Sequence, residues 1–110
     1  MPNQNVQVDR VFHALGDPTR RAVVGRLSAG PAAVSELKSG FDMALPSFTQ
    51  HLGVLEKCGL VRSKKSGRVR TYYLIPQPLK AAESWMAEQR KLWEKRLDSL
   101  DNYLLSIKEK

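Results

Sequence analysis

The segment 45–73, LPSFTQHLGVLEKCGLVRSKKSGRVRTYY, constrains this chain more than any other. Leu45, Phe48, Leu52 and Leu55 recur at three- and four-residue spacing, which places them along one side of an α-helix. The outward side then carries Ser47, Gln50, Gly53, Val54 and Lys57, with Thr49 and His51 on its flanks. Near its N-terminal end that surface is short, polar and uncharged, whereas a helix kept merely soluble usually shows Glu and Lys. Two strand-like runs follow, 60–65 and 68–74, joined by Ser66-Gly67, a two-residue loop of the kind that suits a primed hairpin turn. This register sets Lys65 opposite Arg68 and Val61 opposite Tyr72.

The hairpin has an apolar base (Leu60, Val61, Tyr72, Tyr73, Leu74) and a cationic outer part. Arg62, Lys64, Lys65, Arg68 and Arg70 lie close together with no acid among them. Like charges facing one another across a hairpin repel. The chain gains no stability from that arrangement, so a polyanionic partner accounts for it. The formal net charge of +7 is concentrated here. Residues 1–60 carry six basic and five acidic side chains, and residues 78–110 carry seven and six, so five uncompensated cations belong to the hairpin. A local cationic patch on a near-neutral body is the electrostatic footprint of nucleic acid binding.

A first helix is expected over residues 7–15, with Val8, Val11, Phe12 and Leu15 on one face and Gly16 ending it. Asp17-Pro18 starts a second, with Asp as N-cap and Pro where its missing N–H costs nothing. Ser28 to Pro31 breaks it. A short third helix is expected over 34–39, stopped by Gly40, and a turn then leads to the helix beginning at Leu45, which Gly59 closes. Short helix, turn and polar-faced helix make a helix-turn-helix, and the hairpin adds a wing. The fold expected is mainly α with a small β-hairpin, a single domain over residues 1–110 with its core at about 8–75.

Pro78 opens a long helix expected over about 78–107. Met86, Trp93, Leu97, Leu100, Leu104 and Ile107 form a heptad-like seam along it. One small domain cannot cover a helix this long, so a homodimer is expected, with the first and last helices forming its interface. Val11, Trp85, Met86, Trp93, Leu97, Leu100 and Leu104 are the interface candidates. A two-fold pair would set two DNA-reading helices about 34–36 Å apart, one turn of B-DNA.

The residues resemble a known family. Residues 12–21, FHALGDPTRR, are similar to the FxALADPTRR opening of the ArsR/SmtB-type bacterial repressors. Ser35-Glu36-Leu37 and residues 49–61, TQHLGVLEKCGLV, resemble that family's ELA and SxHLxxLxxAGLV segments. Ser66-Gly67-Arg68 with Tyr72-Tyr73-Leu74 resembles its wing. The resemblance implies a dimeric winged-helix repressor acting on double-stranded operator DNA, with Ser47, Thr49, Gln50 and His51 on the bases and backbone and the wing cations Arg62, Lys64, Lys65, Arg68 and Arg70 beside them. Metal-sensing members carry Cys-x-Cys near the third helix, or His and Asp on the last. Here residues 36–41 hold no cysteine and the last helix no histidine, so neither site carries over and no metal or cofactor is expected. Residues 92–104 are similar to a metal-free branch of the family. Gly53 stands where the family often has a basic residue.

Other readings stay beside this one. Cys58, the single cysteine, rules out an internal disulfide and is expected as a small buried thiol, with redox sensing as the alternative. Trp85 and Trp93 fill a dimer core or, alternatively, line a ligand pocket. His51 is read as a phosphate or structural hydrogen-bonding residue. Arg20 or Arg21 contacts phosphate, or pairs with Asp17 or Glu36. A winged helix used on RNA or protein is the third functional reading. An enzyme is not expected, because one Cys and two His build no triad, metal site or phosphate loop. A polar N-terminus and the lack of a spanning apolar run lead to an expected cytoplasmic location with no membrane partner; no inducer is named by the sequence.

Overall fold

The computed structural model describes residues 4–108. Five helices and three short strands follow in the order α1 (Gln4–Leu15), α2 (Pro18–Leu27), β1 (Ala32–Ala33), α3 (Val34–Lys38), α4 (Leu45–Lys57), β2 (Val61–Ser66), β3 (Val69–Leu74) and α5 (Pro76–Lys108). The sheet is antiparallel, in the order β1-β3-β2. This is a winged helix-turn-helix: α3, turn and α4 are followed by the β2–β3 wing.

Local chemistry sets the boundaries. Asp17 caps α2, its carboxylate accepting from the Arg20 N–H at 3.0 Å, with Pro18 directly behind. At the N-terminus of α3 the Ala33 N–H donates to Glu36 Oε1 at 3.3 Å, the reach-back half of a capping box. Gly59, at φ +76°, ends α4. The Leu60 N–H reaches Leu55 O and the Gly59 N–H reaches Glu56 O, both at 3.0 Å, the paired bonds of a Schellman motif. That motif turns the buried Leu60 into the wing.

The core is assembled from every element. Val11 and Ala14 of α1, Val23 and Leu27 of α2, Leu37 of α3 and Phe48, Leu52 and Leu55 of α4 pack with Leu60, Val61, Tyr72 and Ala82. Phe48, Leu52 and Leu55 are buried as the helical spacing predicts, but Leu45, in the first turn of α4, is half exposed. The first helix also departs from expectation. Val11 is fully buried inside this core while Phe12, one residue and about 100° further round the helix, is 39% exposed. Val11 is therefore core of its own protomer and does not belong to an interface surface.

Two differences concern the sheet. The wing turn is Gly67-Arg68 rather than Ser66-Gly67. Gly67 takes φ +61°, fitting glycine at the first central position of a II′-type turn, and the strands pair as Ser66↔Val69, Lys65↔Arg70, Ser63↔Tyr72 and Val61↔Leu74. Lys65 thus faces Arg70, not Arg68, and Val61 faces Leu74. The strand Ala32–Ala33, which pairs with Thr71 and Tyr72, was not expected.

α5 begins at Pro76, earlier than expected, and runs for 33 residues. Pro78 and Ala82 are buried in the body, and Trp85 meets Phe12 edge to face at 5.6 Å between ring centroids. Beyond Ala87 every described residue of the helix is exposed. The arm stretches the molecule to 75 × 36 × 22 Å. No described helix is long and apolar enough to cross a membrane.

Phe48→Ala removes the largest fully buried side chain of the core. It should lower the unfolding free energy by about 3–5 kcal/mol. Urea denaturation followed by circular dichroism checks this; a loss below about 1 kcal/mol, on the order of a surface change, would contradict the packing described.

Candidate nucleic-acid interface

The buried stripe of α4 fixes its rotation, so the opposite face is presented to solvent. Ser47, Thr49 and Gln50 are all exposed near its N-terminal end. Neither the Ser47 nor the Gln50 side chain has a hydrogen-bond partner among the described residues. Thr49 donates its hydroxyl to Leu45 O at 2.8 Å, leaving the oxygen lone pairs outward. Gly53 lies on the same helix, and a Cβ built there would meet nothing within 4 Å. Nothing inside the protein requires glycine at that position.

His51 is differently placed. It is partly buried, and Arg20 Nη1 lies 3.3 Å from its Nδ1. Asp17 Oδ2 lies 3.7 Å from the same nitrogen. One nitrogen cannot both accept from Arg20 and donate to Asp17. The shorter approach is that of the guanidinium, so in the neutral ring the proton sits on Nε2. His51 therefore links α4 to the start of α2.

Arg20 is the centre of that link. Its Nε donates to Ala14 O at 2.7 Å and its Nη2 to His13 O at 3.1 Å, while Arg21 Nη1 donates to Leu15 O at 2.8 Å. The two arginines cap the open carbonyls of α1. Neither takes the side-chain ion pair considered from sequence; Glu36 instead lies 3.8 Å from Arg26. Helical spacing marks Arg20 and Arg21 as surface cations, and only the chain reversal at Gly16 reveals them as caps. The N-cap bond from the Arg20 backbone, aided by the Arg20 charge and by His51 when its ring is charged, holds the Asp17 carboxyl below its usual value.

The wing cations divide into groups. Lys64, Lys65 and Arg68 are exposed around the tip. Their side chains have no hydrogen bond or ion pair among the described residues. Arg70 turns back along the wing, donating from Nη1 to Ser63 Oγ at 2.8 Å, and Ser63 donates in turn to Glu56 Oε1 at 3.3 Å. Arg62 sits at the root of the wing opposite Tyr73, beside the end of α4. Burial pushes the Tyr72 phenol up, so it stays neutral in the sheet.

The arm carries the other candidates. Trp85, Met86, Trp93, Leu97, Leu100 and Leu104 are all exposed, Trp93 by 67%. Cys58 is the C-cap of α4 and is only partly buried, packed against the core. Among the described residues no group of three or more His, Cys, Asp or Glu side chains could hold a metal ion.

Comparison with known proteins follows the same lines. Residues 15–64 match a helix-turn-helix domain family. The chain is 45% identical over 73 residues to the HTH-type transcriptional regulator Rv2034 of Mycobacterium tuberculosis, covering 66% of this chain and 68% of that one. It is 35% identical over 89 residues to the arsenical resistance operon repressor of Escherichia coli, covering 76% of each. The crystal structure of the ArsR family transcriptional regulator RHA00566 superposes with a TM-score of 0.76 at 58% identity, over 80% of this chain and 97% of that one.

Asp17 gives a testable sign. Its folded-state pKa is lowered from 3.8, so the stability it contributes is present above that value and is lost as pH falls through the lower folded value. Asp17→Asn keeps a capping side chain but loses the charge. The variant should be less stable than the parent at neutral pH, with the gap closing below about pH 4. Urea titrations at several pH values measure it; a gap independent of pH would contradict the assignment.

Proposed function

This chain belongs to the ArsR family of winged helix-turn-helix, DNA-binding transcriptional regulators, and on that premise we propose that it acts as a homodimeric repressor on an inverted-repeat operator. The family and fold are those of transcriptional regulators, which are not enzymes.

The observation that carries this reading is the pairing of two surfaces with no internal purpose. One is the uncharged polar end of α4, where Ser47 and Gln50 are left without partners. The other is the wing tip, where Lys64, Lys65 and Arg68 stand without counter-ions. Together they divide the work on DNA: the cations hold phosphates and supply affinity, and the helix reads base edges and supplies selection. Gln50 is the residue for a bidentate contact to adenine N6 and N7. Ser47 and Thr49 serve bases or phosphates beside it. His51, engaged by Arg20, orients α4 and offers at most its remaining ring nitrogen to phosphate. Arg70 joins the wing contacts through donors not used on Ser63, and Arg62 is set back from them.

Dimerisation supplies the second half of the operator. The exposed seam of Met86, Trp93, Leu97, Leu100 and Leu104 runs along an arm that is solvent-exposed at every described residue beyond Ala87. A solvent-exposed apolar seam of this length marks an interaction surface. A second copy, docking by two-fold symmetry, covers both seams at once. Because residues 36–41 lack cysteine and α5 lacks histidine, the proposed function includes no response to a metal at either of the family's sites.

Two measurements test the division of labour. Reversing Lys64, Lys65 and Arg68 to Glu should weaken every duplex alike and flatten the salt dependence by about 0.9 in log K per log salt for each phosphate no longer neutralised. Gln50→Ala should relax preference at one base position, at a cost of about 1–3 kcal/mol there. Fluorescence anisotropy on matched and single-mismatch duplexes reads both; unchanged discrimination in Gln50→Ala would refute its role.

For the arm, the double variant Leu97→Glu, Leu104→Glu should sediment as a monomer while keeping the circular dichroism of a folded winged helix. A dimer that survives both charges would remove the arm from the interface.

A further inference from the structure

Three cations that the DNA-binding reading leaves over converge elsewhere in the molecule. Arg10 from α1, Lys57 from the last turn of α4 and Arg62 from the root of the wing line one concavity of about 310 Å³. Gln7, Gln77 and Cys58 line it with them. None of the three cationic side chains makes a hydrogen bond or ion pair among the described residues. The acids nearest them in sequence, Asp9 and Glu56, do not line the concavity, and Glu56 accepts from Ser63 instead. The N-terminal end of α5 opens beside them at Gln77, adding the positive end of a helix dipole.

Positive charges gathered round a hollow repel one another, and the low-dielectric walls focus their field into it. No packing requirement explains the arrangement, because each of these side chains could extend into solvent. Nor is this the DNA surface. Lys57 lies ten residues beyond Ser47 along α4, about 15 Å away at 1.5 Å per residue.

We propose that this concavity is a binding site for a small organic anion carrying carboxylate or phosphate groups. Arg10 and Arg62 offer planar guanidinium forks that suit either group, and Lys57 adds a point charge. Gln7 and Gln77 present amides for the uncharged part of the ligand. The volume sits at the low end of small-molecule sites and suits a metabolite rather than a polymer. The site touches the end of α4, the root of the wing, α1 and the start of α5. An anion bridging them ties the DNA-reading unit to the arm, and occupancy changes how firmly the protein holds DNA. That consequence, unlike the binding itself, rests on the function proposed above.

Isothermal titration of the full chain at constant ionic strength tests it, with inorganic phosphate, succinate and citrate as probes and uncharged succinamide as control. At least one anion should bind with a Kd below about 1 mM while succinamide does not bind. The comparison of phosphate with the carboxylates identifies the preferred group. Arg10→Gln and Arg62→Gln should each weaken binding roughly tenfold or more. The wing variant Lys64→Gln, Lys65→Gln should leave it unchanged. If Arg62→Gln does not fold by circular dichroism, Lys57→Gln, on the exposed surface of α4, decides in its place. Absence of binding by every anion up to about 10 mM overturns the proposal. So does an equal loss in the wing variant, which would mean an adventitious ion only. In a parallel gel shift, a saturating probe should change the affinity for a selected duplex. An unchanged affinity overturns the coupling, whereas failure to bind any duplex without probe refutes the DNA reading and leaves the titration to stand by itself.

Discussion

Burial of one stripe on α4 determines the rest. Phe48, Leu52 and Leu55 are essentially removed from solvent. Each such burial is worth about 1.5–3 kcal/mol. Turning the helix by even one residue, about 100°, would expose that stripe and bury Gln50 or Thr49 without partners. The rotation of α4 is therefore fixed by core packing, and its polar face is presented outward as a consequence. A reading surface needs no ordering of its own when the helix beneath it is already held. The Schellman turn at Gly59 then aims the wing from the same helix, so both surfaces inherit one rigid support.

Charge in this protein separates into groups that are used internally and groups that are not. Arg20 and Arg21 close the open carbonyls of α1, and Arg20 also meets His51, so the first three long elements are tied at one point. Arg70 leans on Ser63. By contrast, Lys64, Lys65 and Arg68 at the wing tip, and Arg10, Lys57 and Arg62 behind it, have no internal partner among the described residues. Cations without counter-ions add nothing to the fold. Their placement in two separate clusters fits two anionic partners of different size, a duplex at one end of α4 and a small molecule at the other.

Much of this was legible in the sequence, for a physical reason. The helices declare themselves because burial imposes a 3.6-residue period, and Asp17-Pro18 and Gly59 mark ends through backbone chemistry that only a few residue types satisfy. Periodicity does not choose between neighbours: Val11 and Phe12 are both apolar, and only the tertiary packing decides that valine goes inward. The wing register was displaced because Gly67 serves as the first central residue of its turn rather than the second. Ala32–Ala33 lacks any β-branched or aromatic side chain, so nothing local announced a strand; its pairing with Thr71 and Tyr72 is set by the sheet. The split of the wing cations into tip, flank and root was equally hidden, since it depends on side-chain partners distant in sequence.

The proposed repressor works as two copies joined through their arms, so that paired α4 helices meet successive major grooves. Selection of bound duplexes from a random pool by the purified protein examines this most directly. It should return an inverted repeat whose half-site centres are about 10–10.5 base pairs, or a whole multiple of that, apart. Enrichment of isolated half-sites with no fixed spacing, or of no sequence at all at moderate salt, would contradict it.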